Sequence, residues 1–479
     1  MKKRTLLLFL SALLVLSACS KKENDDTGDQ TDPNVVTVTS DITTNTTWKA
    51  DKIYFMKGTI HVLSGATLTI EPGTLIKGDK ATKACLVISR GGKINADGTA
   101  DNPIVFTSNQ AIGARAAGDW GGVILLGRAP SNNGTDVQIE GISVDDNGKY
   151  GGTVADDNSG VMRYVRIEYA GVPLSPDNEI NGLTFGGVGS GTVIDYIEVY
   201  RSGDDGFEWF GGTVNCKHLL SIGSLDDDFD TDNGFSGKVQ FALAQRYLTL
   251  ADVSGSNGFE SDNDASGSAN TPQTSAVFSN VTIVGPMSSV SLSGVNANYQ
   301  HAAQIRRSSA LSTFNSVFVG YPEGIFYDDA TIGAGASKTS ENLSAGRSVF
   351  ANNLVYGCNV KSNEVKASNA TALAVVDPIL RGANDLQSGV FATAVMNDPY
   401  KYSPDMIAAS TNKQGTPDFT VKAGSAAASG ALFTNAKLSD SFFDKTVAFR
   451  GAFGPTNWAS GWTNWDPQSM PYDAPGKVK

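Results

Sequence analysis

The chain has 479 residues, with 49 acidic against 37 basic side chains and a formal net charge of −12. That balance excludes partners won by bulk positive charge, nucleic acid and anionic lipid among them. With 52 Gly, 17 Pro and Val, Ile, Thr, Phe and Tyr spread in short runs, the composition excludes a bundle of long amphipathic helices and predicts an all-β body.

Lys2-Lys3-Arg4 followed by the apolar stretch Leu6 to Leu16 reads as an export signal, since the apolar run is too short to cross a bilayer comfortably. Leu16-Ser17-Ala18-Cys19 resembles a bacterial lipoprotein processing site, at which Cys19 is acylated and becomes the mature N-terminus. Two or more acyl chains anchor stably where one does not. Residues 1–18 are then the leader, and losing Lys2, Lys3 and Arg4 takes the charge from −12 to −15. Residues 19–35 carry the lipid and a polar, acidic stretch predicted to be a flexible tether. Its acidic residues resemble a surface-export signal, and a plain solvated spacer fits them equally. The expected address is the outer membrane, lipid-anchored and facing the surface.

The body begins with short strands. Thr59-Ile60-His61-Val62, Ala66 to Ile70, Cys85-Leu86-Val87-Ile88 and Pro103 to Phe106 are separated by turn residues at Gly65, Glu71-Pro72-Gly73 and Gly91-Gly92. Further strands are predicted at Tyr164 to Tyr169, Tyr196 to Tyr200, His218 to Ile222, Val281 to Val284 and Val317 to Val319. Among them a phrase recurs: Asp204-Asp205-Gly206-Phe207-Glu208, then Asp227-Asp228-Phe229-Asp230-Thr231-Asp232-Asn233, then Asn257-Gly258-Phe259-Glu260-Ser261-Asp262-Asn263. The Phe residues are 22 and then 30 positions apart. A unit returning at that period predicts a β-solenoid stacked on itself. Asn181 to Gly187 is an earlier, uncharged copy, and Gln304-Ile305-Arg306-Arg307 and Gly324-Ile325-Phe326 are later ones. The coils are predicted over residues 36–360. Cys85, Cys216 and Cys358 lie in apolar strand-like contexts and read as small buried hydrophobes.

From about Val360 the pattern decays, and the aromatic end with Phe442-Phe443, Phe449, Phe453, Trp458, Trp462 and Trp465 is predicted to form, within residues 361–479, a cap over the last coil. The three Trp would otherwise suit a sugar-stacking platform.

Four segments carry a family resemblance: Ile70-Glu71-Pro72-Gly73-Thr74, Gly118-Asp119-Trp120-Gly121-Gly122 through Gly127, Asp204 to Glu208, and Phe449-Arg450-Gly451-Ala452-Phe453-Gly454. Together they resemble a family of Bacteroidota cell-surface lipoproteins, and the likeness spans nearly the whole mature chain. The resemblance implies a right-handed parallel β-helix of the pectate-lyase type; it assigns no activity.

If the Phe residues stack inside the coil, Glu208, Asp230 and Glu260 point outward, one above another at roughly 4.8 Å. Each adjacent pair then repels by roughly 3 kcal/mol, which a cation or a basic partner would relieve. Asp232 over Asp262, with Asp228 and Asp264 at either end and Asn233 and Asn263 as neutral oxygens, completes an oxygen set suited to Ca²⁺. It is no EF-hand, because its sixth and twelfth positions are Asn233 and Val239. Two other readings stand beside it: turn chemistry at coil corners with Arg306 on the ladder of a later coil as counterion, and metal-free catalytic carboxylates. Asp204, Asp205, Glu208, Trp209 and Arg306 suit a ligand site in which acids accept hydroxyl hydrogen bonds and the indole stacks on a sugar; Trp209 packed in the coil fits equally. A Ca²⁺-dependent polysaccharide lyase or hydrolase can be drawn from Asp204, Asp205, Asp227, Asp228 and Arg306 or Arg307, although Gly-His-Gly and Arg-Ile-Lys motifs are absent. The expectation is a binding or structural module that takes Ca²⁺, a glycan or a partner surface lipoprotein.

Overall fold

The computed structural model describes residues 32–175, 178–359, 363–402 and 413–479. The leader, Cys19 and nearly all of the tether lie outside them. Residues 34–479 form one compact unit.

The chain winds as a parallel β-helix with three strand positions per coil. One face is a ten-stranded parallel sheet running from Thr59–Val62 through Cys85–Ile88, Gly122–Leu126, Leu183–Gly186, Phe207–Phe210, Phe229–Asp232, Phe259–Ser261, His301–Ile305 and Glu323–Tyr327 to Val365–Ala367. The other two faces are joined by long strands that pass around one corner, Gly160–Glu168, Val193–Tyr200, Asn215–Ile222, Lys238–Gln245 and Val277–Val284. Their C-terminal halves are buried throughout, because both of their surfaces are covered, one by the interior and one by the C-terminal arm.

Each long strand turns its corner at one residue in the left-handed region: Tyr164, Tyr196, His218, Phe241 and Asn280 have φ between 50° and 63°. Asn315 and Asn352 continue the column at φ 52° and 61°. For bulky side chains that conformation costs about 1–3 kcal/mol each. The offset comes from stacking, with ring centroids 4.4 Å apart for Tyr164 on Tyr196, 4.2 Å for Tyr196 on His218 and 5.2 Å for His218 on Phe241. Asn352 donates to Asn315 Oδ1 at 2.6 Å where the aromatic stack gives way to amides.

The interior is a column of rings. Phe207, Phe229 and Phe259 occupy one register position, with centroids 5.7 Å and 5.3 Å apart. Cys85, Cys216 and Cys358 are buried and unpaired.

Two features of the C-terminal part differ from the sequence expectation. Winding continues past residue 360, since Val365–Ala367 pairs with Glu323–Tyr327 and Asp385–Gln387 with Leu354–Tyr356. Between them lies a helix, Ala370–Ala383, whose Ala-rich sequence hides the strand period. Asn369 caps it by accepting from Ala372 N at 3.0 Å, and its Val376 and Leu380 close the end of the interior. The aromatic segment is therefore not the end cap. It runs back along the outside of the coils, where Phe419, Phe453, Trp462 and Trp465 pack on Tyr200, Ile222, Leu243 and Val284. Tyr472 and Val478 reach Ile53, Leu75 and Val105 near the first coils. Fully buried Arg166 pins this arm, donating to Val478 O at 2.6 Å and Tyr472 Oη at 3.0 Å.

Candidate functional site

The outward column of the ten-stranded face reads Thr184, Glu208, Asp230, Glu260, Gln304, Phe326, Lys366 in successive strands. The predicted stacking of Glu208, Asp230 and Glu260 holds, because alternation puts each acid opposite an inward Phe. The ladder position of the later coil is Gln304, not Arg306. Arg306 sits two residues on and bridges back to Glu260 and, at 2.9 Å, to Asp262, which also meets Arg307 at 2.8 Å.

A second column lies at the turn before these strands. Asp205 Oδ1 accepts from Asp227 N at 2.8 Å, Asp227 Oδ1 from Asn257 N, and Asn257 Oδ1 from His301 N at 3.0 Å. One oxygen of each side chain thus ties consecutive coils together, in the manner of turn chemistry. The remaining oxygens join the ladder. Three triads, Asp204–Asp205–Asp226, Asp205–Glu208–Asp230 and Asp227–Asp230–Glu260, each bring one ligand atom per residue within 4.8 Å of the others. Asp205 and Asp230 are shared, so the triads form one continuous row.

Burial, reinforced by neighbouring carboxylates, holds Asp204, Asp205, Glu208, Asp227, Asp230 and Asp262 well above the usual carboxylate range. Asp226 and Asp232 are pushed up to about 6, by burial first. Two acceptors in the row have no hydrogen-bond partner: Asp230 Oδ1, and Oδ1 of Asn181, a residue only 1% exposed whose amide nitrogen donates to Glu208. A buried oxygen without a donor is costly. Hard cations bind oxygens of this kind.

The row has walls. Above it, Ile139, Ile142 and Tyr150 of the insertion at 128–157 cover the outward Cys85, Val87, Ile124 and Leu126, and the acids begin where that cover ends at Phe210. The insertion is stitched to the ends of the acidic strands, Asn132 Nδ2 donating to Asn263 O and Asn133 Nδ2 to Asn233 Oδ1, each at 2.6 Å. From it Glu140, an exposed residue, faces the acids; surrounding protein first, then Glu179 and Asp232, push its carboxyl up to about 7.

Several predicted site residues are placed elsewhere. Trp209 points into the coil with no exposed surface, stacked on Phe185 at 5.4 Å and Phe235 at 5.3 Å, so it lines no groove. Alternation puts it on the side opposite Glu208. Asp228 also turns inward, where fully buried Arg246 meets it at 2.7 Å, with Ser221 Oγ at 2.7 Å. Asp264 is spent on Ser266 and Ser268 of its own loop. Asn233 takes the left-handed corner at φ 53°, and Asn263 donates to Ser268 O and Asn270 O while accepting from Thr274 N. Neither amide is free for an ion. Asp204, Asp205, Glu208, Asp230, Asp232, Glu260, Asp262 and Arg306 do gather on one face.

Sequence reasoning missed Asp226, Glu140 and Arg246. Arg246 is the scaffold of the site: besides Asp228 it donates to Ser224 O, Asp226 O and Asn257 O, fixing the turn from which Asp226 and Asp227 project. It lies at the end of an ordinary apolar strand, and no local motif marks it. The pair Asp226-Asp227 could have been found as the copy of Asp204-Asp205 one coil on.

Residues 40–387 match the pectate-lyase-like beta-helix domain family. No curated protein and no solved structure gives a significant match.

Proposed function

The chain belongs to that family, and we propose that it is a lipid-anchored β-helix module of the outer-membrane surface that binds Ca²⁺ in its acidic row and, through the ion, an acidic carbohydrate. One observation carries the reading: seven carboxylates fall into three triads linked through Asp205 and Asp230, and Asp230 keeps a buried oxygen without a donor. Ionised together, such acids repel by roughly 3 kcal/mol per adjacent pair. Ca²⁺ takes six to eight oxygens and neutralises two charges per ion. Uronate polymers supply carboxylates that complete a coordination sphere the protein fills only partly. Cys19 would provide the anchor, and a partner surface lipoprotein is the other occupant of the face.

Calorimetric titration of Ca²⁺ into the protein, beside a variant carrying Asp205→Asn, Asp230→Asn and Glu260→Gln, tests the ion site. Binding heat and a raised Tm in the parent, both lost in the variant, are expected; a parent that takes up no Ca²⁺ at millimolar concentration sinks the reading. Polygalacturonate and alginate binding that disappears with chelator tests the glycan. Fatty-acid labelling lost in Cys19→Ala tests the anchor. Arg306, 24% exposed beside Glu260 and Asp262, favours one second reading, a Ca²⁺-dependent lyase or a hydrolase. Unsaturated or reducing-end product released from the same polymers would establish it.

A further inference from the structure

A polar cleft of about 260 Å³ is formed by the segments that follow three successive strands of the ten-stranded face, Phe259–Ser261, His301–Ile305 and Glu323–Tyr327. Asn270, Thr271, Gln273, Ser308, Ser337 and Arg347 line it, and no Asp, Glu or aromatic ring does. In a chain of formal charge −12, a cleft with a guanidinium and no acid reverses the sign of its surroundings.

Arg347 is anchored along one edge and open along the other. Its Nε donates to Asn342 Oδ1 at 2.7 Å, and its backbone N–H donates to Asn342 O at 2.9 Å. Asn342 has no exposed surface, and its Nδ2 donates to Ser308 O at 2.8 Å and Ser309 O at 3.0 Å, so the oxygen that holds Arg347 is itself fixed. Among the described residues, the two terminal nitrogens of Arg347 form neither a hydrogen bond nor an ion pair. The side chains of Asn270, Thr271, Ser308 and Ser337 likewise make no hydrogen bond there. Gln273 fixes one wall, its Nε2 donating to Ser308 O at 2.7 Å. The carboxylates of the flanking segments are committed: Asp264 accepts from Ser266 and Ser268, Asp329 from Ser340 at 2.9 Å and 2.6 Å, and Glu341 from Lys338 N at 3.1 Å.

A guanidinium grips a carboxylate, sulfate or phosphate through two parallel N–H donors, and such charge-assisted bonds are about twice as strong as neutral ones. Hydroxyls and an amide with unspent hydrogen-bonding capacity around that fork match the hydroxyls of a sugar. The volume lies just below the range of about 300–1,000 Å³ for drug-sized ligands, which suits one sugar ring and not a chain of them. From this arrangement we infer that the cleft is a second ligand site, needing no metal and separate from the acidic row, which takes a monosaccharide-sized ligand whose oxyanion group is held by Arg347.

The probes are glucose 6-sulfate, glucose 6-phosphate and glucuronate, with methyl glucoside as the uncharged control. Each is titrated into the full chain in metal-free buffer at constant ionic strength and followed by saturation-transfer NMR. Three variants accompany the parent: Arg347→Gln, Arg347→Lys, and the acidic-row pair Asp230→Asn with Glu260→Gln. Saturable binding of at least one charged sugar is expected, weakened about tenfold by Arg347→Gln, partly restored by Arg347→Lys and unchanged in the acidic-row pair. Preference for the two esters would identify a tetrahedral oxyanion as the natural group, and preference for glucuronate a carboxylate. Arg347 is exposed and gives up a single side-chain hydrogen bond, so Arg347→Gln is expected to fold with the parent's Tm. Methyl glucoside binding as tightly as the charged sugars, binding indifferent to Arg347→Gln, binding lost in the acidic-row pair, or no saturation at millimolar concentration would each overturn the inference. Because no metal is present, none of these outcomes depends on whether the acidic row takes Ca²⁺.

Discussion

Asp230→Asn is expected to change stability in opposite directions with and without Ca²⁺. Asp230 stands between Glu208 and Glu260 in the ladder, one strand from each. At the strand spacing of about 4.8 Å two fully charged neighbours would cost roughly 6 kcal/mol together. Part of that cost is already avoided by proton uptake, since burial and then Asp262 and Asp232 hold the Asp230 carboxyl well above its ordinary range. The amide also brings an N–H₂ to a row where Asp230 Oδ1 has no donor. About 2 kcal/mol of net stabilisation is therefore expected in chelator near neutral pH. With Ca²⁺ at a hundred times its Kd the parent gains about 2.7 kcal/mol, and the variant, missing the ligand common to two triads, gains little. Urea unfolding of both proteins, in chelator and in excess Ca²⁺, measures the crossing. A variant less stable than the parent in chelator would refute the claim that the row is under charge stress, and parallel shifts in Ca²⁺ would refute the role of Asp230 as a shared ligand.

Without metal, stability should fall as pH rises through about 6. Asp226 and Asp232 have folded values of about 6, against 3.8 ordinarily, so the protonated row stabilises fully below the unfolded value and that contribution is lost as they ionise. Excess Ca²⁺ should flatten the slope in a urea-midpoint series; a slope of the opposite sign would contradict the placement of these acids. Trp209→Ala should cost about 3–5 kcal/mol in unfolding free energy while leaving the Ca²⁺ Kd within a factor of two, because the indole fills the interior and touches no ligand oxygen. Arg246→Ala should cost about 3–5 kcal/mol by leaving Asp228 buried and unpaired, and should also weaken Ca²⁺ binding in calorimetry, since the turn bearing Asp226 and Asp227 loses its carbonyl clamps.

The repeat was legible because a solenoid places equivalent residues at equivalent positions, so that Phe207, Phe229 and Phe259 announce their own stacking. The same logic placed Glu208, Asp230 and Glu260 outward. It failed for Asp228, because strand alternation is broken at the turn before Phe229; for Trp209 the alternation carried two residues on from the inward Phe207 gives the interior, where the indole lies. The corner column was hidden because Tyr164, Tyr196, His218 and Phe241 have nothing in common as residue types except a flat ring. The end of the coil was misplaced because helix Ala370–Ala383 interrupts the strand period without ending the winding.

By itself, then, the sequence determined the winding, the inward Phe column and the outward acids, all consequences of local period and alternation repeated in register. Beyond the ladder of Glu208, Asp230 and Glu260, which acids face one another was decided only by tertiary structure. Asp204 belongs to one coil and Asp226 and Asp230 to the next, and their distances depend on how far each loop returns before the next strand begins. The same holds for Arg246 inside and for the arm that crosses His218 and Phe241 outside. Those contacts join residues far apart in the chain, and no local pattern encodes a distance that only closure of the coil creates.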